Sequence, residues 1–404
     1  MRVKMERETL MKGIARTLGV VDRRGTMPIL GNFLFQAEAD GVQIAATDLE
    51  VSFRGFYPAL VEEPGALTLP AHYCFNLIKE LPGQLLDLVG TEKSNLQLTV
   101  SDSRYQLLGL PADQFPPVPQ ATDLDLVAVE SAQLREMIEK TIFSVSGDDL
   151  QYHLSGIFWE RVREGAEEEG GIEEGAEEGA GEEKIEEAEE GEKGPYSLRM
   201  VSTDGHRLTL IQRLLPESER FAIEEGILIP RKGVAEISRL LAEEEKVALG
   251  LGQKSLALKV NNKYLFIRLL EKKFPDYRRI IPETFAYQFA LNRRGLFDTL
   301  RRISLLSTER FKGVILKLTS DLAEITFQNP EIGEGRELLP LTLEKGEPEG
   351  LQFEIGFNAR YLLEPLNVMT GETVLMEVNE KDRPCRIIDK EDPNYFSIIM
   401  PMSL

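Results

Sequence analysis

Repetition constrains this chain more than any other feature. The stretch Phe274-Pro275-Asp276-Tyr277-Arg278-Arg279-Ile280-Ile281-Pro282 joins two segments of similar build. Related stretches stand on either side: Phe115-Pro116-Pro117-Val118-Pro119 upstream, and Asp392-Pro393-Asn394-Tyr395-Phe396 with Met400-Pro401-Met402 downstream. A unit used three times sets the architecture of the whole chain, because every copy must fold alike and bury a face against its neighbour.

The copies align element by element. Leu10, Ile14 and Leu18, then Leu134, Ile138 and Ile142, then Leu296, Leu300 and Ile303 recur at the spacing of a one-sided helix, predicting helices over 8–18, 131–143 and 293–305. Two alternating, strand-like runs follow each helix: 30–38 and 42–47, 154–161 and 196–203, 314–318 and 323–327. The second run ends on a related signature each time: Ala46-Thr47-Asp48-Leu49-Glu50, Ser202-Thr203-Asp204-Gly205-His206 and Phe327-Gln328-Asn329-Pro330-Glu331. A second helix opens after Leu69-Pro70-Ala71, Ile229-Pro230-Arg231 and Gly356-Phe357-Asn358, with Pro70 and Pro230 expected in its first turn. Further strands close each unit. Two helices packed on antiparallel sheet, three times over, is an α+β fold with domains expected over 1–121, 126–277 and 278–404.

The net charge of -21 would ordinarily count against a nucleic-acid partner. Its distribution removes the objection. Segment 164–194 holds fifteen Glu against two Lys, thirteen of the 21 negative charges, with almost no large apolar residue. It reads as a disordered insertion inside the middle hairpin, either a solvated spacer or an electrostatic gate or nucleic-acid mimic. No run reaches the 18 or so apolar residues of a membrane span and the N-terminus lacks a signal region, so the expected compartment is the cytoplasm. Cys74 and Cys385 stand far apart without metal-ligand spacing, which predicts free buried thiols.

Catalysis finds little to hold. His72, His153 and His206 are scattered, no pair has metal spacing, and no glycine-rich phosphate loop occurs. Asp204 and His206 form the one acid/base candidate, at a turn where the other two units have neither His nor Arg. The basic residues are better placed. Lys12 and Arg16, Arg23 and Arg24, Arg231 and Lys232, Arg294 and Arg301, and Arg360 sit on or beside equivalent helices and suit a common surface for phosphates. The apolar run Ile398-Ile399-Met400-Pro401-Met402 fits either a last core strand or an adaptable surface for partners.

Met27-Pro28-Ile29-Leu30-Gly31-Asn32, Ala46-Thr47-Asp48-Leu49-Glu50, Leu108-Gly109-Leu110-Pro111-Ala112, Ser202 to Leu208, Ile229-Pro230-Arg231-Lys232-Gly233, the Phe274 stretch and Met400-Pro401-Met402 together resemble the bacterial DNA sliding clamps, the beta subunits of the replicative DNA polymerase. The resemblance covers the chain outside 164–194. It implies a head-to-tail homodimeric ring of six domains, helices inside around duplex DNA and sheets outside, and a non-catalytic processivity factor without cofactor or metal. DNA contacts are then expected, without sequence choice, at Lys12, Arg24, His72, Tyr152, His153, Arg231 and Lys232. The replicative polymerase, the clamp loader and other proteins would insert a short motif into a pocket of Leu154, Thr203, Gly205, His206, Arg207, Leu208, Pro275, Arg279, Ile280, Asn358, Tyr361, Ile399, Met400, Pro401 and Met402. Tyr105 and Leu107 would meet Leu305 and Leu306 across the dimer. His72 and Ser403 depart from relatives, which are commonly more basic there. Two rivals remain at this stage: a scaffold of the same fold that does not encircle DNA, and an enzyme using Asp204 and His206.

Overall fold

The structure, a computed structural model, describes residues 1–23, 25–119, 124–148, 151–163, 195–215, 223, 226–308 and 311–402. Arg24, the side chain of Tyr152, Ser403 and segment 164–194 lie outside the described residues. Three copies of one unit follow each other. The first holds helices α1 (Arg7–Thr17) and α2 (Ala71–Glu80), the second α3 (Ser131–Glu139) and α4 (Arg231–Leu241), the third α5 (Arg293–Ser304) and α6 (Ala359–Val368). In each unit the two helices pack on one another and against both sheets. The apolar spacing is the cause: Leu10 and Ile14, Leu134 and Ile138, and Leu296, Leu300 and Ile303 are all buried, each burial worth about 1.5–3 kcal/mol.

Three helix boundaries differ from the sequence pattern. The second-unit helix stops at Glu139, where the Thr141 hydroxyl donates back to the Met137 carbonyl at 2.8 Å and the chain tightens into a 3-10 turn over Ile142–Ser144. Pro70 and Pro230 end the preceding strands, each with φ −61°, and precede the first helical residue.

Each unit contributes two four-stranded sheets. The first unit pairs Gly65–Pro70, Asn32–Glu38, Gly41–Thr47 and Val51–Tyr57 in one, and Arg2–Glu6, Leu85–Gly90, Leu96–Val100 and Ser103–Leu107 in the other, to which Leu60–Glu63 adds an edge. The second repeats this with Ile227–Pro230, Gly156–Arg163, Tyr196–Thr203 and Arg207–Leu214, and with Val127–Glu130, Lys246–Leu251, Ser255–Val260 and Lys263–Arg268. The third uses Phe353–Asn358, Gly313–Leu318, Leu322–Asn329 and Gly333–Lys345, and Tyr287–Asn292, Thr373–Val378, Cys385–Asp389 and Asp392–Ile399. The segment after each last strand even makes the same return bridge: Leu110 N–H to Thr68 O at 3.2 Å, Leu270 N–H to Leu228 O at 2.9 Å, Met402 N–H to Gly356 O at 2.8 Å.

The sheets run through the unit boundaries. Val51–Tyr57 of the first unit pairs with Lys263–Arg268 of the second, Val51 opposite Ile267. Arg207–Leu214 of the second pairs with Asp392–Ile399 of the third, Arg207 opposite Ile399 and Leu208 opposite Ile398. Two equivalent edges are left over. Ser103–Leu107 ends its sheet, and the first half of Gly333–Lys345 has only Leu322–Asn329 beside it.

One turn shows how local chemistry was reused. Thr47 Oγ1 accepts from Leu49 N–H at 3.0 Å, and Thr203 Oγ1 accepts from Gly205 N–H at 3.1 Å. The position is left-handed in both, φ 78° at Leu49 and 84° at Gly205, so the first unit carries a side chain where glycine is at ease. Cys74 and Cys385 are both free and buried.

Candidate functional site

The joint between the second and third units carries a pocket-forming arrangement. Because side chains alternate along a strand, Leu208 and Ile398, directly opposite each other, share the sheet face away from the helices. There they join Leu154, Val201, Leu210, Leu228, Leu270, Phe274 and Tyr277 in a separate apolar cluster. Phe274 lies on Phe158 with ring centroids 5.0 Å apart, so the linker between units is strapped over the pairing seam. Tyr277 is anchored beneath it: its hydroxyl meets Glu160, and Arg199 Nη1 donates to it at 2.9 Å. Ile280, Gly205 and His206 are all exposed. Arg279 is exposed, pairs with Asp276 at 3.0 Å, and also lines a groove of about 790 Å³ beyond the strap.

The opposite wall belongs to the third unit. The His206 and Tyr361 rings lie 6.3 Å apart, and Met400 N–H donates to His206 O at 2.9 Å. Asn358 caps α6 by accepting from Arg360 N–H at 3.1 Å, which fixes where Tyr361 projects. Met400 and Met402 remain 38% and 42% exposed. Beneath them Arg207 is buried, with its guanidinium 4.6 Å from the Tyr361 ring centroid and 5.4 Å from that of Phe143. It donates to Asp204 Oδ2 at 3.0 Å, to the Phe143 carbonyl at 2.6 Å and to Glu364. Burial, then the Asp204 charge, pushes the Tyr361 phenol above its ordinary value and keeps it a neutral donor. The Asp204, His206 and Arg207 group is therefore a structural joint and pocket rim.

The corresponding place between the first and second units is different. Glu50 stands for His206, Ser52 for Leu208, Gly233 for Tyr361 and Arg268 for Met400, and the depression there, about 260 Å³, is lined by Glu50, Arg268, Leu269, Leu270, Glu271 and Lys272. The second joint is therefore apolar where the first is charged.

Charge separates the helices from the rest of the chain. The six helices hold thirteen Lys and Arg against seven Asp and Glu, a net of +6 in a chain of net -21. Lys12, Arg231 and His153 are exposed, with Lys12 2.9 Å from Glu8 one turn away. His72 is half-buried and touches Arg23; burial first, and the Arg23 charge second, lower its pKa, so it is neutral at physiological pH. Lys232 is pinned instead: its ammonium meets Asp48 and donates to Val20 O at 2.6 Å across the first joint. Among the described residues, no group of three or more His, Cys, Asp or Glu suits a metal, and no helix is long and apolar enough to cross a membrane.

Sequence models of the DNA polymerase III beta subunit match in chain order, the N-terminal domain over 1–119, the central domain over 187–276 and the C-terminal domain over 278–403. The beta sliding clamp of Vibrio cholerae is 32% identical and that of Escherichia coli K12 30%, each over the full length of both chains. The chain belongs to the bacterial beta sliding clamp family. Solved clamps agree in fold: that of Caulobacter crescentus covers 100% of this chain and 99% of its own with TM-score 0.85 at 29% identity, and a Bartonella birtlesii clamp bound to griselimycin covers 100% of both at TM-score 0.85 and 26% identity. The protein is thus a processivity factor of DNA polymerase, an accessory subunit of replication.

Within this clamp Leu154 and Leu208 share the apolar cluster of the second joint, Thr203 and Gly205 form its turn, and His206, Arg207, Tyr361 and Met400 contact one another there; Asn358 caps α6 and Met402 bridges Gly356, and Pro275, Ile280 and Pro401 lie in the segments beside them. Ile399 is the exception, since it points into the main core, and its neighbour Ile398 takes the place under the strap. Strand alternation carried the signal, one residue out of step. Tyr105 and Leu107 lie on the free edge strand, Leu305 is exposed just past α5, and Leu306 packs on the core.

Proposed function

We propose that two copies of this clamp close head to tail, each free edge of one pairing with the complementary edge of the other, and that the closed ring encircles duplex DNA. The observation that carries this is the pair of joints already present. Val51 opposite Ile267 and Arg207 opposite Ile399 set a register that, continued once more, brings Leu107 of one copy opposite Ile332 of the next. The two free edges are the counterparts of the strands that pair at the internal joints, so a rotation that closes pairs both of them.

Function follows from enclosure. Lys12, His153 and Arg231, with Arg24 and Tyr152, attract phosphates without reading bases, and such contacts are weak, numerous and salt-sensitive. His72 adds a neutral contact and Lys232 acts chiefly on the joint. The ring slides because nothing fixes register, and stays because it is closed. The pocket at the second joint takes a short apolar motif from the replicative polymerase, the clamp loader or other replication and repair proteins, with Leu208, Ile398, Met400 and Tyr361 receiving its anchors. No step of bond making is assigned to the chain, which acts as a tether in the cytoplasm. Sedimentation over a dilution series is the test: a concentration-dependent dimer is expected, and a monomer at every concentration overturns the ring.

A further inference from the structure

Threefold repetition lets one joint be read against the next. Counting from the helix starts, Lys12 and Arg16 of the first unit correspond to Glu136 and Lys140 of the second, and the strand register puts Tyr57 in the place of Arg213. At the second joint these positions close on themselves. Lys140 donates to Glu136 at 2.7 Å and to Asp392 at 3.0 Å, and Arg213 donates to the same two carboxylates at 2.6 Å and 3.0 Å. Two cations and two carboxylates balance there.

At the first joint the same place is an open cleft of about 570 Å³, lined by Lys12, Arg16, Tyr57, Glu243, Asn262 and Lys263 among others. Lys12 stands where the second joint has Glu136, and Glu243 is the one carboxylate of the lining, where it meets both Arg16 and Lys263. Three cations against one carboxylate leave a net of +2. Carboxylates nearby are engaged: Glu8 reaches Lys12 at 2.9 Å in a pair exposed at both ends, which is worth little, and Glu244 takes the Asn261 amide at 2.7 Å. The cleft also holds a buried donor. Tyr57 is 6% exposed, and its hydroxyl, standing over Gly55 opposite Lys263, has no hydrogen-bond partner among the described residues. Burial first, then the Glu243 charge, hold its phenol above the ordinary value, so it stays a neutral donor, and a buried donor left unmet is costly. We propose that this cleft is a seat for a phosphate dianion, inorganic phosphate or a phosphomonoester, with the Tyr57 hydroxyl donating to one oxygen and Lys12, Arg16 and Lys263 supplying the opposing charge. Such a group carries about -1.5 to -2 near neutral pH, which matches the excess, whereas a backbone phosphodiester with its single charge leaves half of it unmet.

The cleft lies within one chain, so its test does not depend on ring closure. Inorganic phosphate titrated into the full-length protein, followed by calorimetry and by phosphorus NMR, should fill a saturable site that weakens with added salt. Tyr57→Phe removes only the hydroxyl; it should melt like wild type without phosphate and bind phosphate on the order of tenfold more weakly, as loss of a hydrogen bond to a charged group requires. Lys12→Glu installs the carboxylate that the second joint carries at this position, and should abolish binding while the fold is kept. A nucleoside monophosphate should displace inorganic phosphate, and a short duplex with hydroxyl ends should not. No saturable site, or wild type and both variants binding alike as they would an adventitious ion only, overturns the seat. Displacement by the hydroxyl-ended duplex as readily as by the monophosphate overturns the preference for a dianion and returns the cleft to the DNA backbone.

Discussion

Replacing Phe274 with alanine tests whether the linker is a strap that shapes the partner pocket. Phe274 is buried, stacked on Phe158 and packed in the cluster with Leu208 and Ile398. Truncating a buried phenylalanine costs about 3–5 kcal/mol, of which stacking accounts for about 0.5–1.5. The lower end applies, because a strap over a sheet relaxes into the space more readily than a core does. Tyr277 still ties the linker to Glu160 and Arg199, so the chain stays folded while Pro275 and Ile280 lose their fixed place. Urea unfolding should show a loss of about 3 kcal/mol, and anisotropy of a labelled clamp-binding peptide should show affinity reduced on the order of tenfold, about 1.4 kcal/mol. Full stability loss with unchanged peptide affinity would refute the coupling of strap to pocket.

Other outcomes follow from the same structure. Leu49→Gly relieves a left-handed side chain and should raise stability by about 1 kcal/mol in denaturant melts; a loss would mean that Leu49 makes contacts of greater worth. Lys232→Ala should cost about 1 kcal/mol of stability by removing the counter-charge of Asp48 while changing DNA binding little, and Arg231→Ala should do the reverse. Asp392 is pulled upward by burial but held below its ordinary pKa by hydrogen bonds from Arg213 at 3.0 Å and Lys140 at 3.0 Å, which outweigh it. A lowered carboxyl stabilises the fold above its unfolded value of about 3.9, and that stability is lost as pH falls through the folded value. Asp392→Asn should thus be less stable than wild type at neutral pH, with the difference closing in acid; parallel curves would contradict the assignment.

Much of this was legible in the sequence because threefold repetition tests itself: a spacing seen at Leu10 and Ile14 is checked at Leu134 and Ile138 and again at Leu296 and Leu300. Element types follow from local periodicity. What sequence could not supply is what lies across a joint. Lys232 reads as a free cation until Asp48, far away in sequence, is seen against it. Ile398 and Ile399 are indistinguishable in composition, and only the register with Leu208 decides which faces the strap. Leu49 takes a left-handed conformation that nothing in its sequence marks, and Thr141 ends α3 by a bond no pattern announces.

Enclosure is tested most directly by loading labelled clamp onto a nicked circular duplex, washing at a salt concentration that abolishes phosphate contacts, and then cutting the circle. The account predicts that the protein stays on the circle through the wash and leaves within the mixing time once the DNA has ends. Equal retention on circular and linear duplex, or equal loss from both, would contradict it.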